Sequence, residues 1–399
     1  MSNLRVAAGR EGDDALRPTG ATLTTDVLAA PQAGYPAGPD AEKRAMPAFF
    51  VLRWKPSRQQ TVAFVTEGDL LLERGIFLAR QLLSMSAIIL DVLPIFVMIL
   101  IGWLIVRTGL MTSDVGDALS DFVFKIAVPL LLFRTIAEAD FHGASPFRLW
   151  IAYFSGVAIT WTAGHIAATR FFGRDERIGV LAGVSSAFAN TIFIGLPLVE
   201  RTVGNEGLVA LSILIAVHLP VMMIVGTIMM ERAEHKIAGK SERSVMTVLR
   251  QIGTNLVRNP LVIGLVAGAA MHLTGLKMPG PIQSIVDQIA GVAGPVALIS
   301  LGMALRRYGI SGNVGIASVT SAFKLLLLPS CVWMASHLLG LTADWTAALV
   351  LISSVPTGVN AWLIANRFGV GHSLAASTIT VTTALGAISV SFWAYLLGA

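Results

Sequence analysis

The apolar residues of this chain fall into long blocks, unlike the alternation of a half-buried strand or the narrow stripe of a surface helix. From Met85 onward ten such blocks follow one another, at about 87–106, 118–137, 147–168, 178–200, 207–229, 260–276, 281–305, 313–338, 343–366 and 373–397. Each is close to the roughly 20 residues that carry a helix across a bilayer. Charged loops or Gly/Pro breaks separate them, and the widest interruption, 230–259, holds most of the charge between blocks. The pattern predicts an all-α, polytopic membrane protein of ten transmembrane helices. Residues 1–84 have another character: Ala, Gly, Pro and Thr with scattered charges and no clean helical or strand period, including a Pro/Gly/Ala tract at 30–40 that cannot build a core. Two readings stand for this segment: an over-extended reading frame with Met85 as the true start, or a disordered or weakly folded extension.

The blocks repeat. Pro94 overlays Pro260 (260 − 94 = 166), and at that offset Gly102 falls on Gly268 and Thr108-Gly109-Leu110 on Thr274-Gly275-Leu276. Asp121 then meets Asp287, Pro129 meets Pro295, Thr191 meets Thr357 and Arg201 meets Arg367, with no gap. The chain therefore divides into a first five-helix repeat at 85–229, a central loop at 230–259 and a second repeat at 260–399. Five is odd, so the second copy enters the membrane inverted relative to the first, a recurrent construction in secondary carriers.

Composition sharpens this picture. Only 13% of the 399 residues are charged and 54% are apolar, against about 25% charged in soluble domains. Alternate loops carry the basic residues: Arg107; Arg170, Arg174 and Arg177; Arg232, Lys236, Lys240, Arg243, Arg250 and Arg258; Arg306 and Arg307; and Arg367, thirteen in all, against Arg148, Arg201 and Lys277 in the others. The positive-inside rule puts the basic loops in the cytoplasm and both termini outside it. The net charge of +5 thus reads as orientation, and no nucleic-acid partner is expected. The single cysteine, Cys331, excludes an internal disulfide framework or a thiolate metal site. There is no Walker A sequence and no metalloprotease spacing, and no cofactor is expected.

Chemistry concentrates in the fourth and ninth blocks. Ser185-Ser186-Ala187-Phe188-Ala189-Asn190-Thr191 runs on to Gly195-Leu196-Pro197, and Ser353-Ser354-Val355-Pro356-Thr357-Gly358-Val359-Asn360 occupies the corresponding place in the second half. Proline and small polar residues break a helix, and broken backbone is tolerated in lipid only where protein or a water-filled cavity surrounds it. Matched breaks point to a midplane site where half-helix N-termini meet an anion. Asn190, Thr191, Pro197, Pro356, Thr357 and Asn360 are its candidate binding residues. Lys324, near the middle of the eighth block, would balance an anionic substrate or a backbone carbonyl where neighbouring spans break. His218 in the fifth block can exchange protons or simply pack. Asp121 and Lys125, i,i+4 on the second block, are coupling candidates or a plain ion pair.

Several of these segments resemble the auxin efflux carrier family, to which the plant PIN proteins and many bacterial proteins belong. The likeness is carried by Asn190-Thr191-Ile192-Phe193-Ile194-Gly195-Leu196-Pro197, Pro129-Leu130-Leu131-Leu132-Phe133-Arg134, Arg258-Asn259-Pro260, Pro295-Val296-Ala297-Leu298-Ile299-Ser300-Leu301-Gly302 and Val355-Pro356-Thr357-Gly358-Val359-Asn360-Ala361. The resemblance implies two inverted five-helix repeats, helices 1, 2, 6 and 7 as a scaffold, helices 3–5 and 8–10 as a moving transport domain, and a crossing of helices 4 and 9. It also implies that Asn190 and Asn360 bind a substrate carboxylate. His218 aligns approximately with a polar fifth-helix position near the plant site, and His there is a departure. The short central loop departs from the plant pattern as well. Bacterial relatives are associated with dicarboxylates such as malonate or malate and with auxin-like acids.

The expected function is a secondary carrier of a small organic anion in the cell membrane, by elevator-type alternating access, with a homodimer as an admissible assembly. A sodium-coupled symporter of similar fold is the nearest rival. A receptor or sensor should carry an attached signalling domain, and an intramembrane enzyme should show a nucleophile–base or metal constellation.

Overall fold

The computed structural model describes residues 50–53, 62–65, 90–139, 145–238, 254, 257–308 and 314–398. The chain forms two compact units, Met1–Ser84 and Met85–Ala399. In the first, a short antiparallel pair joins β1 (Phe50–Arg53) to β2 (Val62–Val65), with Phe50 opposite Val65. The sequence pattern predicts no strand there. The rest of that segment lies outside the described residues, as does most of the central loop.

Among its described residues the second unit is built from helices, with one short extended pairing. Helix α1 (Leu90–Arg107) is followed by α2 (Ser113–Phe122), which runs through a π turn at Val123–Ala127 into α3 (Val128–Ala137). Then come α4 (Pro146–Ile166) with a π turn at Ala167–Phe171, α5 (Glu176–Ala187), α6 (Leu196–Thr202) and the long α7 (Asn205–Ala238). The second half contains α8 (Pro260–Thr274), α9 (Gly280–Gly291) and α10 (Ala293–Leu305). It continues with α11 (Val314–Ala322), a π turn at Phe323–Leu327, α12 (Leu328–Leu338), α13 (Ala343–Ser354), α14 (Asn360–Phe368) and α15 (His372–Leu397).

Among the described residues five helical stretches are long and apolar enough to cross a membrane: Leu90–Arg107, Asn205–Ile237, Gly280–Leu305, Val314–Leu338 and His372–Leu397. The other five predicted blocks are helical but depart from a plain span, each for a visible reason. The helical stretch of the second, 113–137, carries Asp114, Asp117, Asp121, Lys125 and Arg134, and the third is diluted by Trp, Tyr, Thr and His. The sixth is 15 residues long. The fourth and ninth are interrupted. The chain is thus a polytopic, membrane-spanning helical bundle. Its outside is greasy: Leu90, Leu93, Val97, Leu100, Ile101 and Leu104 of α1 are all exposed, the mark of a lipid-facing surface.

Local signals set the element ends. The two Thr-Gly-Leu triplets stop α1 and α8 with glycines in the left-handed region, Gly109 at φ 77° and Gly275 at φ 65°, where any side chain would be strained. Asn259 caps α8 by accepting from Leu261 N at 3.0 Å, and Pro260 sits in the first turn, where its missing N–H costs nothing. Asp175 caps α5, accepting from Arg177 N at 2.9 Å and Ile178 N at 3.0 Å. Partial burial raises its carboxyl, but the hydrogen bonds from Ile178 and Arg177 outweigh that and hold it below its ordinary value.

Without a hydrophobic drive between helices in lipid, close contact needs small residues. A Cβ on Gly102 of α1 would overlap the Ile299 carbonyl of α10, and one on Gly302 would overlap the Ile99 carbonyl. The other half repeats the contact: a Cβ on Gly268 of α8 would stand 2.5 Å from the Phe133 carbonyl oxygen of α3. The arithmetic matches, since 102 + 166 = 268 and 299 − 166 = 133. Two backbone-to-backbone seams follow, α1 against α10 and α8 against α3.

Gly302→Ala should lower the thermal midpoint in detergent, by a destabilisation of roughly 1–3 kcal/mol, although alanine is the better helix former. Gly280→Ala, with nothing within 4 Å of the added Cβ, should leave the midpoint unchanged. Asp175→Ala should cost about 1 kcal/mol. Because the folded carboxyl titrates below the unfolded value of about 4, the cap's contribution is present at neutral pH and is lost as pH falls through the depressed folded value. Unfolding midpoints of wild type and Asp175→Ala should therefore converge on acidification.

Candidate functional site

The two interrupted blocks lie at the centre of the bundle. In α5 every residue from Gly179 to Ala187 is buried, and in α13 every residue from Trp345 to Ser354. Helices buried on all sides touch protein rather than lipid, the condition under which a membrane helix can break. After Ala187 the backbone becomes extended at Phe188 (φ −85°, ψ 100°), and after Ser354 it does the same at Val355 (φ −68°, ψ 159°). The helices resume with a π turn at Thr191–Gly195 leading into α6, and with α14 from Asn360.

Across the gap the two extended pieces pair with each other. Asn190 N donates to Pro356 O at 3.0 Å and Gly358 N donates to Phe188 O at 2.7 Å, an antiparallel bridge between Ala189 and Thr357. The bridge is symmetric under an offset of 168, since 190 + 168 = 358 and 188 + 168 = 356. This is two residues more than the offset that relates the flanking helices. Thr357 fixes the pairing twice over: its Oγ1 donates to Ser185 O at 2.7 Å, and its N–H donates to Thr382 Oγ1 of α15 at 3.0 Å. Pro356 needs room beside α15, and Gly386 provides it, since a Cβ there would come within 2.8 Å of the proline ring.

Asn190 and Thr191 are buried, Asn190 immediately after the bridge, with a side chain that caps no helical N–H. Asn360 is half-buried at the start of α14, three residues beyond Thr357. Both asparagines thus stand where a half-helix begins and its first N–H groups lack intrahelical partners. Pro197 sits away from the break, in the first turn of α6, packed towards Gly294 of α10.

Lys324, fully buried on the π turn of the eighth block, donates to Ser353 O at 2.5 Å. Its hydrogen-bond partner is thus a backbone carbonyl at the end of α13. The same π turn frees Leu325 O, which accepts from Ser389 Oγ and from Trp393 Nε1, both at 3.0 Å. His218 is fully buried, edge-on to Tyr153 (ring centroids 5.3 Å apart) and to Phe188 (5.1 Å), and so stands against the bridge. Asp121 and Lys125 pair at 2.6 Å with exposed side chains. The turn carrying Lys125 packs on α8, α9 and α10, and the pair is not brought to the bridge. Thr382, Ser389, Trp393 and Tyr153 were not singled out from the sequence. The cluster Thr378, Thr380, Thr382 and Thr383 in an otherwise apolar span was the signal available. Among the described residues no group of three His, Cys, Asp or Glu side chains could hold a metal ion.

A sequence family described as membrane transport protein matches residues 87–394. The chain is similar to a Rhizobium meliloti protein provisionally named a malonate transporter, 24% identical over 309 residues, covering 77% of this chain and 94% of that one. It is 25% identical over 317 residues to an uncharacterised transporter of Methanothermobacter thermautotrophicus, covering 77% of this chain and 97% of that one. The mouse lysosomal cholesterol signaling protein is 23% identical over 258 residues, 62% of this chain and 29% of its own length.

Thr382→Val removes the acceptor of a buried N–H, and Thr357→Val removes the donor to Ser185 O. Each should cost about 1–3 kcal/mol in unfolding experiments in detergent. Both hold one segment, so the double variant should lose less than the sum of the two, a coupling that a double-mutant cycle reads directly.

Proposed function

The chain belongs to the membrane transport protein family, an auxin-efflux-carrier-like family, and on that premise we propose that it is a secondary carrier of a small carboxylate. Its family is one of transporters, not of enzymes. The observation that carries the proposal is the hydrogen-bonded pair of helix breaks at Asn190–Pro356 and Gly358–Phe188. A helix that only needed to span the bilayer would keep its ladder. Two breaks that satisfy each other leave half-helix N-termini at Asn190 and Asn360, free to meet a negative group with dipole ends and amide donors.

In this reading the ten blocks span the membrane as two inverted repeats, with both termini outside the cytoplasm by the distribution of basic loops. The matched seams, Gly102 on Ile299 and Gly268 on Phe133, support it, as does the symmetric bridge. The seams hold α1–α3 and α8–α10 as a frame. The broken helices with α4, α7, α11, α12 and α15 carry the substrate past that frame from one side of the membrane to the other. Asn190, Thr191 and Asn360 contact the carboxylate. Thr357 and Pro356 hold the break in place, with both polar groups of Thr357 committed to Ser185 O and Thr382 Oγ1, and Pro197 directs α6 against the frame. His218 and Asp121–Lys125 are the candidates for proton exchange. The malonate assignment of the Rhizobium relative makes short dicarboxylates the first compounds to test.

Purified protein in proteoliposomes should take up labelled malonate, malate or an auxin-like acid with saturation and mutual competition. Hydrogen bonds to a charged group contribute about 1.5–3 kcal/mol, and 1.4 kcal/mol is tenfold. Asn190→Ala with Asn360→Ala should therefore reduce uptake at least tenfold in protein that remains folded. Undiminished flux in the double variant would remove the asparagines from the site.

A further inference from the structure

The two helix breaks end in carbonyls that are satisfied in different ways. Ser185 and Ser353 are equivalents under the offset of the bridge (185 + 168 = 353). Ser185 O receives the neutral hydroxyl of Thr357 at 2.7 Å, whereas Ser353 O receives the ammonium of Lys324 at 2.5 Å. A hydroxyl therefore suffices to satisfy such a carbonyl in this fold, and the charge at the second break answers another need. Lys324 is fully buried and its partner is a carbonyl; among the described residues no carboxylate pairs with it, and it stands at the negative end of α13. Ser353 O is the oxygen that Lys324 meets. The next carbonyl at the same helix end, Ser354 O, and Leu325 O, next in sequence to Lys324, share the hydroxyl of Ser389, which donates to Leu325 O at 3.0 Å and Ser354 O at 3.3 Å. Unwound carbonyls and half-helix C-termini are what bind the coupling cation in carriers built on broken helices.

We propose that the Lys324 ammonium is a tethered cation seated where such carriers hold sodium. This carrier then needs no inorganic cation, and removing the side chain opens an oxygen-lined site for one. The transport half of this statement rests on the carrier reading above; the binding half does not.

The test is thermal unfolding of the full chain in detergent, in sodium chloride against choline chloride at equal ionic strength. Wild type should have the same midpoint in both. Lys324→Ser should be less stable than wild type in choline and should regain about 2–4 °C in sodium. Lys324→Met, which fills the space without charge, should be destabilised in both media and indifferent to sodium. A merely structural lysine predicts no sodium response in either variant, and that outcome overturns the proposal. Stabilisation of wild type by sodium overturns it as well, even if Lys324→Ser does not fold. In proteoliposomes wild-type carboxylate flux should be equal with and without sodium. Absence of flux in every medium counts against the carrier reading and leaves the binding result standing.

Discussion

A peptide group in the lipid core must be hydrogen-bonded, and the centre of this bundle is arranged around two places where the helical ladder stops supplying the bond. At Phe188–Asn190 and Val355–Gly358 each chain segment becomes the partner of the other. Neither break could exist alone, because its free amides and carbonyls would face apolar side chains at several kcal/mol apiece. The pairing also explains why α5 and α13 are buried on every side while α1 is left mostly to the lipid. The broken elements need protein around them, and the intact ones do not.

Neighbouring polar residues satisfy the backbone groups beside the bridge. Thr357 and Thr382 lock the bridge, Ser353 O is met by Lys324, and Ser389 and Trp393 take up the carbonyl that the π turn at Phe323–Leu327 releases. A π turn inserts a residue and leaves a carbonyl outside the ladder. Here that surplus acceptor is used to bind α15 to the eighth block. The hydroxyls of Thr357 and Ser389 and the indole are thus spent on backbone. Ser185 Oγ and Tyr153 OH are buried with no hydrogen-bond partner among the described residues, and the asparagines stand where the half-helices begin.

Much of this was legible in the amino-acid order. Proline and asparagine in mid-block marked both breaks, the Thr-Gly-Leu triplets marked two helix ends, and the depth of Lys324 pointed to a broken neighbour. The register of the bridge was not legible. Overlaying the halves gives Thr191 opposite Thr357 at an offset of 166, whereas the hydrogen bonds run at 168. Thr191 already begins a π turn, while Thr357 is still extended, so the first half returns to helix sooner, and hydropathy does not change with that choice. The π turns escaped for a similar reason, since one extra residue per turn leaves an apolar block apolar. The second and sixth blocks were read as spans from their apolar character, although the helical stretch 113–137 carries five ionisable residues and the sixth helix is only 15 residues long. His218 could be placed deep in its block but not against Phe188, because facing between distant helices is not written in either one.

The glycine seams have a mechanical corollary. Gly102 faces the Ile299 carbonyl and Gly302 faces the Ile99 carbonyl, so each backbone occupies a slot only one residue wide in the other. One turn further along lie Met98 and Val106 on α1, and Leu298 on α10 with Arg306 as its C-cap. Sliding by a turn would drive one of these bulky side chains into a slot shaped for a hydrogen atom. The seam is a lock with a single notch: α1 and α10 can separate or stay, but they have no second register in which to rest.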